Sequence, residues 1–524
     1  MIRVAFLTLL IVASNYIAAH AQVQPANRSV LNYRLVGFSV PEKEGVTGYE
    51  FEVTEMIITD TGTTVYKPIF KKKSAAHQMV GIVPEFGKTY SWSVNYYINS
   101  TVSATEGPWM FLTGKSPFVD TTKYKLKIID NKVENKDMLV FIDASRTLYD
   151  LNGNALWFLP DIENEFNEHS SIRDLKTTPF NTITFLTERN AYEIDYNANI
   201  IWKAPDNGLV SGDSTERYHH EFTRLDNGNY IVAGTKTVLR DVTKIIEDGI
   251  KPGRLANDDI TKKNGKTFIK TLYDTVIEYD TSGKTVWQWV SDNYFSDDAF
   301  FNPLKNGTQR THAHMNSIYY DSDQNAIYLS FRNINRVVKI NYATKEVLAA
   351  YGEPYHANEQ IYGSGLFYGQ HACKTNREGN MYLFNNNNPG SATSDTDYTK
   401  ISSIVLFKEP VNKTDTITKL WEFTCDIDSL APSFTPGGGG VIELLNSNYL
   451  VCMASAARNF IVDKNKKIQW NAILMNNNIE NGWENYFAGY RSSIIETMKQ
   501  TEQLLFNVSI QDTNERVRDN KTYK

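Results

Sequence analysis

The chain has 524 residues, with 54 lysines and arginines against 60 aspartates and glutamates, a formal charge of −6 at pH 7. A mild negative charge with both signs interspersed offers nothing to nucleic acid or to an anionic membrane surface, so neither is expected as a partner. Three cysteines, Cys373, Cys425 and Cys452, are too few and too widely spaced for a disulfide framework or a zinc pattern, which leaves room for one bridge at most.

The opening residues, MIRVAFLTLLIVASNYIAAHAQ, hold one basic residue, an apolar run and small residues at Ala19 and Ala21. That pattern reads as a secretory signal peptide over residues 1–21, with the mature chain starting near Gln22 and located in the periplasm or outside the cell. No later stretch approaches the roughly 20 apolar residues of a membrane helix. No cysteine follows the small-residue site, so a lipid anchor is not indicated.

Residues 22–116 alternate apolar and polar side chains in YEFEVTEMII and TYSWSVNYYI, the period of half-buried strands. The phrase VPEFGKTYSW matches the corner of a fibronectin III-like sandwich, with Tyr90 packed on the turn before it. The run Lys71 to Lys73 reads as a solvated loop.

Over residues 117–524 a hairpin recurs six times, closing each time on a large apolar residue. The copies are TLYDLNGNALW to Trp157, AYEIDYNANIIW to Trp202, VIEYDTSGKTVW to Trp287, VVKINYATKEVL to Leu348, IVLFKEPVNKTDTITKLW to Trp421 and FIVDKNKKIQW to Trp470. Six such hairpins are the outer strand pairs of a six-bladed β-propeller, so the chain is expected to be all-β.

A second hairpin type between these copies supplies the inner strands. HEFTRLDNGNYIVAGTK starts at His220, HMNSIYYDSDQNAIYLSFR at His314 and HACKTNREGNMYLFNNN at His371. The turn glycines Gly228 and Gly379 stand eight residues after His220 and His371, and the second copy has a longer turn. In the last blade the same count back from Ser447 reaches Gly439. The first strand of each blade lines the axis and the second returns beside it, so the three histidines converge from three blades at one end of the propeller. Arg332, Asn386, Thr235 or Lys236, and Ser455 end the returning strands and join them there. Strand alternation puts Asn316 and His312 on the face of His314 and turns His219 away from His220. His77, His169 and His356 fall outside this register and read as ordinary polar residues.

Imidazoles, one guanidinium and amides, with Glu221 the nearby carboxylate, suit an anion with several oxygens, such as a sulfate or phosphate monoester. Imidazole also serves as nucleophile or as general acid and base near neutral pH. Two other readings stay open. Three histidines with His312 have the composition of a zinc or copper site, although Arg332 would repel a cation. A propeller that only holds an anionic ligand is the other.

The segments HHEFTRLDNGNYIVA, HMNSIYYDSDQNAIYLSFR and QHACKTNREGNMYLF resemble the bacterial arylsulfate sulfotransferases, and the resemblance covers most of the chain. It implies a six-bladed propeller preceded by an N-terminal β-sandwich. It further implies ping-pong transfer of a sulfo group from an aryl sulfate donor to a phenolic acceptor through a sulfohistidine. The nucleophile position matches His371, and the anion-binding positions match His220, His314, Asn316 and Arg332. Neither metal nor nucleotide cofactor is implied, and relatives pair through the sandwich domain, which implies a homodimer. Departures from the family pattern are Glu221 in place of a usual Asp and the lack of a cysteine pair before His371. A last-blade hydroxyl and lysine also lack clear counterparts, with Ser455 the first candidate and Arg458 the second. Gly437 to Gly440 leave room at the mouth, where Tyr362, Phe367 and Tyr368 are candidates to stack on an aromatic ring.

Overall fold

The computed structural model describes residues 23–247, 260–294, 313–354, 360–389, 400–412 and 415–508. The leading segment, His312 and His356 lie outside them. Among the described residues α-helix is limited to Thr243–Glu247 and Met498–Phe506, neither long and apolar enough to cross a membrane. The described chain divides into two compact units, residues 23–31 with 35–113, and residues 32–34 with 114–508.

The first unit is a β-sandwich. One sheet runs Ser29–Leu31, Thr101–Thr113, Thr89–Ile98, Gly48–Ile58 and Thr64–Ser74, and the other pairs Leu35–Ser39 with Gln78–Ile82. Phe38, Phe51, Trp92 and Phe111 fill the space between. The Tyr90 hydroxyl donates to the Glu85 carbonyl at 3.1 Å and accepts the Glu85 N–H, which anchors the corner. Lys71 to Lys73 sit in a strand rather than a loop. They are exposed, and cross-strand carboxylates account for the difference: Lys71 bonds Glu52 at 3.1 Å and lies 3.6 Å from Glu50.

The second unit consists of six antiparallel sheets of four or more strands. All six repeated hairpins form the third and fourth strands of a sheet. Local chemistry explains the repeat. In four of them an aspartate at the strand end, Asp150, Asp195, Asp280 or Asp463, accepts backbone N–H groups from the turn after it and closes it. The terminal tryptophans reach from blade to blade. Trp157 donates to Tyr196 O at 2.8 Å, Trp287 to Tyr342 O at 2.8 Å and Trp421 to Lys464 O at 2.9 Å. Trp202 instead stacks on Tyr230 of the next blade at 3.8 Å.

Both ends of this unit close the ring. Ser492–Ile495 pairs with Leu139–Ile142 as the innermost strand of blade 1, although the rest of that blade comes from the start of the unit. Tyr124–Asn131 adds to Ile468–Asn478 of blade 6, and Trp470 donates to Leu151 O at 2.9 Å from last blade to first. The innermost strands then follow in order as Ser492–Ile495, Arg173–Thr177, Tyr218–Arg224, Met315–Asp321, His371–Thr375 and Gly440–Glu443.

Candidate active site at the start of the inner strands

Four inner strands begin in the same irregular way. Register shifts separate Arg173 from Lys176, Tyr218 from Phe222, Met315 from Ser317 and His371 from Lys374. Each irregularity has a non-glycine residue in or beside it in the left-handed region, at Asp174 (φ 57°), His220 (φ 63°), His314 (φ 63°) and Ala372 (φ 52°). Such residues cost about 1–2 kcal/mol each and persist where packing over-determines them. The bulge re-aims side chains, so alternation fails locally. His219 is not turned away from His220: their Nδ1 atoms lie 2.8 Å apart.

His371 is 2% exposed and contacted on both ring nitrogens. Its Nδ1 lies 2.6 Å from Asn386 Oδ1 and 3.1 Å from Gly369 O. The orientation of Asn386 follows from its other end, where Nδ2 donates to Thr435 O at 2.8 Å and Gly438 O at 2.9 Å. Both neighbours of Nδ1 are therefore acceptors, so Nδ1 carries the proton. Nε2 keeps its lone pair and accepts the Gly438 N–H at 3.2 Å. Burial, with the charge of Arg332, pushes the imidazole down to about 3, so the ring is neutral at neutral pH.

The loop that supplies Gly438 has exacting geometry. Gly438 and Gly439 have φ of 68° and 104°, and a Cβ on Gly439 would stand 2.6 Å from the Phe384 ring. The glycine run thus aims a backbone donor at His371, beyond leaving room. Ser455 braces this loop, its hydroxyl 2.5 Å from Thr435 Oγ1 and 3.4 Å from Gly437 O.

Arg332, 1% exposed, opens a short 3-10 turn whose backbone N–H donates to His314 O at 3.0 Å. Its guanidinium donates to Asn333 Oδ1 at 3.2 Å and to Pro436 O at 2.8 Å, the latter on the same loop that meets His371. Burial lowers its pKa to about 10, which leaves it charged at neutral pH.

His219, His220 and His314 form a chain. His219 Nε2 lies 3.1 Å from Gly234 O, and His220 Nε2 lies 3.1 Å from His314 Nε2. A carbonyl only accepts, so neutral His219 holds its proton on Nε2 and accepts at Nδ1. With His219 in that form, His220 donates from Nδ1 and accepts at Nε2 from His314. Burial, then His314, His219 and Arg173, hold His220 well below the ordinary histidine range.

Asn316 is fully buried and donates to Gln370 O at 2.7 Å, so it braces the strand of His371. Glu221 faces away from the mouth. It accepts from Arg491 and, at 2.8 Å, from Lys176, while Asp174 accepts from the same two at 3.1 and 2.7 Å. Burial alone would raise the Glu221 carboxyl, and the Arg491 and Lys176 charges hold it low. Arg491 also donates to Asn316 O at 2.7 Å, so this charge cluster ties four blades together. Arg458 is buried against Asp428 and Asn471, Thr235 is buried and Lys236 partly exposed. Phe367 is fully buried against Phe407 and so closed to a ligand, whereas Tyr362, which packs on Tyr351, and Tyr368 are both partly exposed. The three cysteines are buried and free. Among the described residues no group of three or more His, Cys, Asp or Glu is arranged to hold a metal ion.

Sequence reasoning missed Arg173 and Tyr490. The Tyr490 ring stands edge-on to His220 at 5.7 Å and to His371 at 6.3 Å, and the Arg173 guanidinium lies over it at 5.6 Å. Arg173 carried a signal: it precedes its left-handed turn residue Asn181 by the same spacing that separates His371 from Gly379. Tyr490 lies just before Ser492–Ile495, the strand that returns to blade 1, outside the histidine pattern.

The fold is a β-propeller, and this cluster is built around a neutral imidazole that keeps a lone pair on Nε2. Residues 254–524 match the family described as Arylsulfotransferase (ASST), and the chain belongs to that family of aryl sulfate sulfotransferases. The match includes His314, Asn316, Arg332, His371, Asn386, Ser455 and Tyr490, and begins after Arg173 and His220. No curated protein matches the chain. Among solved structures, a Bacteroides caccae protein of unknown function is similar at 13% identity and TM-score 0.40, over 69% of this chain and 98% of its own. The virginiamycin B lyase of Staphylococcus aureus is similar at 9% identity and TM-score 0.34, over 71% and 99%. The periplasmic gluconolactonase of Pseudomonas aeruginosa is similar at 10% identity and TM-score 0.33, also over 71% and 99%. TM-scores this low say nothing about activity.

Proposed function

We propose that the protein transfers a sulfo group from an aryl sulfate to a phenol in two half-reactions, with His371 as the intermediate carrier. The observation that carries this reading is the Asn386 contact, which keeps the proton on Nδ1 and leaves Nε2 as the nucleophile. Nε2 attacks sulfur, the bond from sulfur to the aryl oxygen breaks, and its electron pair leaves on the phenolate. The ring becomes an N-sulfoimidazolium whose Nδ1–H still points at the Asn386 carbonyl oxygen, so the positive charge meets a fixed dipole. Arg332 stands beside the position the sulfo oxygens would take, and the Gly438 N–H, which rests on the Nε2 lone pair, gives up that bond as Nε2 attacks.

In the second half-reaction a phenol oxygen attacks the same sulfur, and the N–S bond returns its pair to Nε2. The phenolic proton passes to the His314–His220 pair. Because His220 is held below its ordinary pKa, the pair passes that proton on to solvent at neutral pH, and the donor's phenolate leaves as the anion. Atoms and charges balance without a metal or a nucleotide. Export from the cytoplasm belongs to the same proposal, on the strength of residues 1–21.

The test is incubation with 4-nitrophenyl sulfate, with and without phenol and with a chelator present. Nitrophenol release that phenol accelerates, with phenyl sulfate formed and no effect of the chelator, is expected. Ligand binding without turnover would favour a binding propeller. Loss on chelation with recovery on zinc would favour a metalloenzyme.

A further inference from the structure

Arg173 has no part in the transfer just described, yet it stands at the same register position as His371, two blades from Arg332. Its side chain is partly buried, and its guanidinium makes no hydrogen bond or ion pair with another described residue, only the contact over Tyr490 at 5.6 Å. The other arginines nearby are engaged. Arg332 bonds Pro436 and Asn333, and Arg491 bonds Glu221, Asp174 and Asn316. A partly desolvated guanidinium without a counter-charge is costly unless an anion meets it.

The Arg173 guanidinium lies over the Tyr490 ring, and that ring stands edge-on to both His220, at 5.7 Å, and His371, at 6.3 Å, so Arg173 borders the imidazole cluster through the tyrosine.

We propose that Arg173 forms a second anion subsite, so that the preferred aromatic substrates carry a carboxylate or sulfate besides the group transferred. This specificity rests on the sulfotransferase reading, with the aromatic ring lodged along Tyr490 and its distal charge held by the guanidinium fork.

The test is calorimetric binding of 4-hydroxybenzoate and 4-hydroxybenzamide, ligands matched in size and differing in charge, at pH 7. The parent protein should prefer the benzoate by about tenfold, the effect of one charge-assisted bidentate contact. Arg173→Gln should abolish the preference while still binding the benzamide, which also reports an intact fold, and Arg173→Lys should restore part of it. Equal affinity of the parent for both ligands, a preference that survives Arg173→Gln, or equal weakening of both ligands would overturn the proposal. Parent turnover of 4-nitrophenyl sulfate is measured separately, so failure of the transfer reading and failure of the subsite are told apart.

Discussion

Replacing Asn386 by alanine removes three hydrogen bonds at once, from Nδ2 to Thr435 O and Gly438 O and from His371 Nδ1 to Oδ1. At a net value of about 1 kcal/mol each, stability should fall by about 3 kcal/mol, seen as a lower urea midpoint. The rate effect has a separate origin. As His371 attacks sulfur its ring turns cationic, and the bond from Nδ1–H becomes charge-assisted, worth about 1.5–3 kcal/mol. Gly369 O at 3.1 Å still accepts from Nδ1, so the tautomer survives in part. The burst of nitrophenol release in stopped flow should therefore slow by about ten- to a hundredfold. Nitrogen NMR of the parent should show the His371 proton on Nδ1. A burst within twofold of the parent, or a proton found on Nε2, would refute the reasoning.

Arg332→Lys keeps the charge but loses the planar fork and its bonds to Pro436 and Asn333, and kcat/KM for 4-nitrophenyl sulfate should drop by about a hundredfold or more; a loss under threefold would separate Arg332 from the sulfo group. The acid limb of kcat/KM should lack a step at the ordinary histidine value of about 6.5 from the nucleophile, because burial and Arg332 push His371 down to about 3. Stability has the same sign. With the folded pKa below the unfolded one, the unfolded chain binds the proton more readily. The contribution is whole above about pH 6.5 and is lost as pH falls toward 3, at up to about 1.4 kcal/mol per pH unit for this histidine. Urea titrations across that range check it.

The outer hairpins were legible because an aspartate-closed turn, in four of the six, and a terminal tryptophan, in five, are short-range chemistry that recurs along the chain, and Trp157, Trp287, Trp421 and Trp470 latch the neighbouring blade. The histidine register was legible for the same reason, since turn spacing survives a bulge. Side-chain direction was not. Left-handed backbone at His220 and His314 breaks the period of two, so the contact between His219 and His220 could not be read from alternation. Glu221 sits one residue past His220 and faces a different layer, where Arg491 claims it from a strand far along the chain. Asn386 was placed at the mouth with the histidines, and there its three bonds hold His371 and the glycine loop. That role depends on where Thr435 and Gly438 fall, which turn spacing does not specify.

The central claim is that Nε2 of His371 holds the sulfo group between two half-reactions. Protein mixed with excess 4-nitrophenyl sulfate and no acceptor, quenched at alkaline pH to protect an N-linked sulfo group, is digested and its peptides weighed. A gain of one sulfo group on the peptide containing His371, matched by about one equivalent of nitrophenol and absent from His371→Asn, is the expected result. A label on another residue, or turnover that persists in His371→Asn, would contradict it.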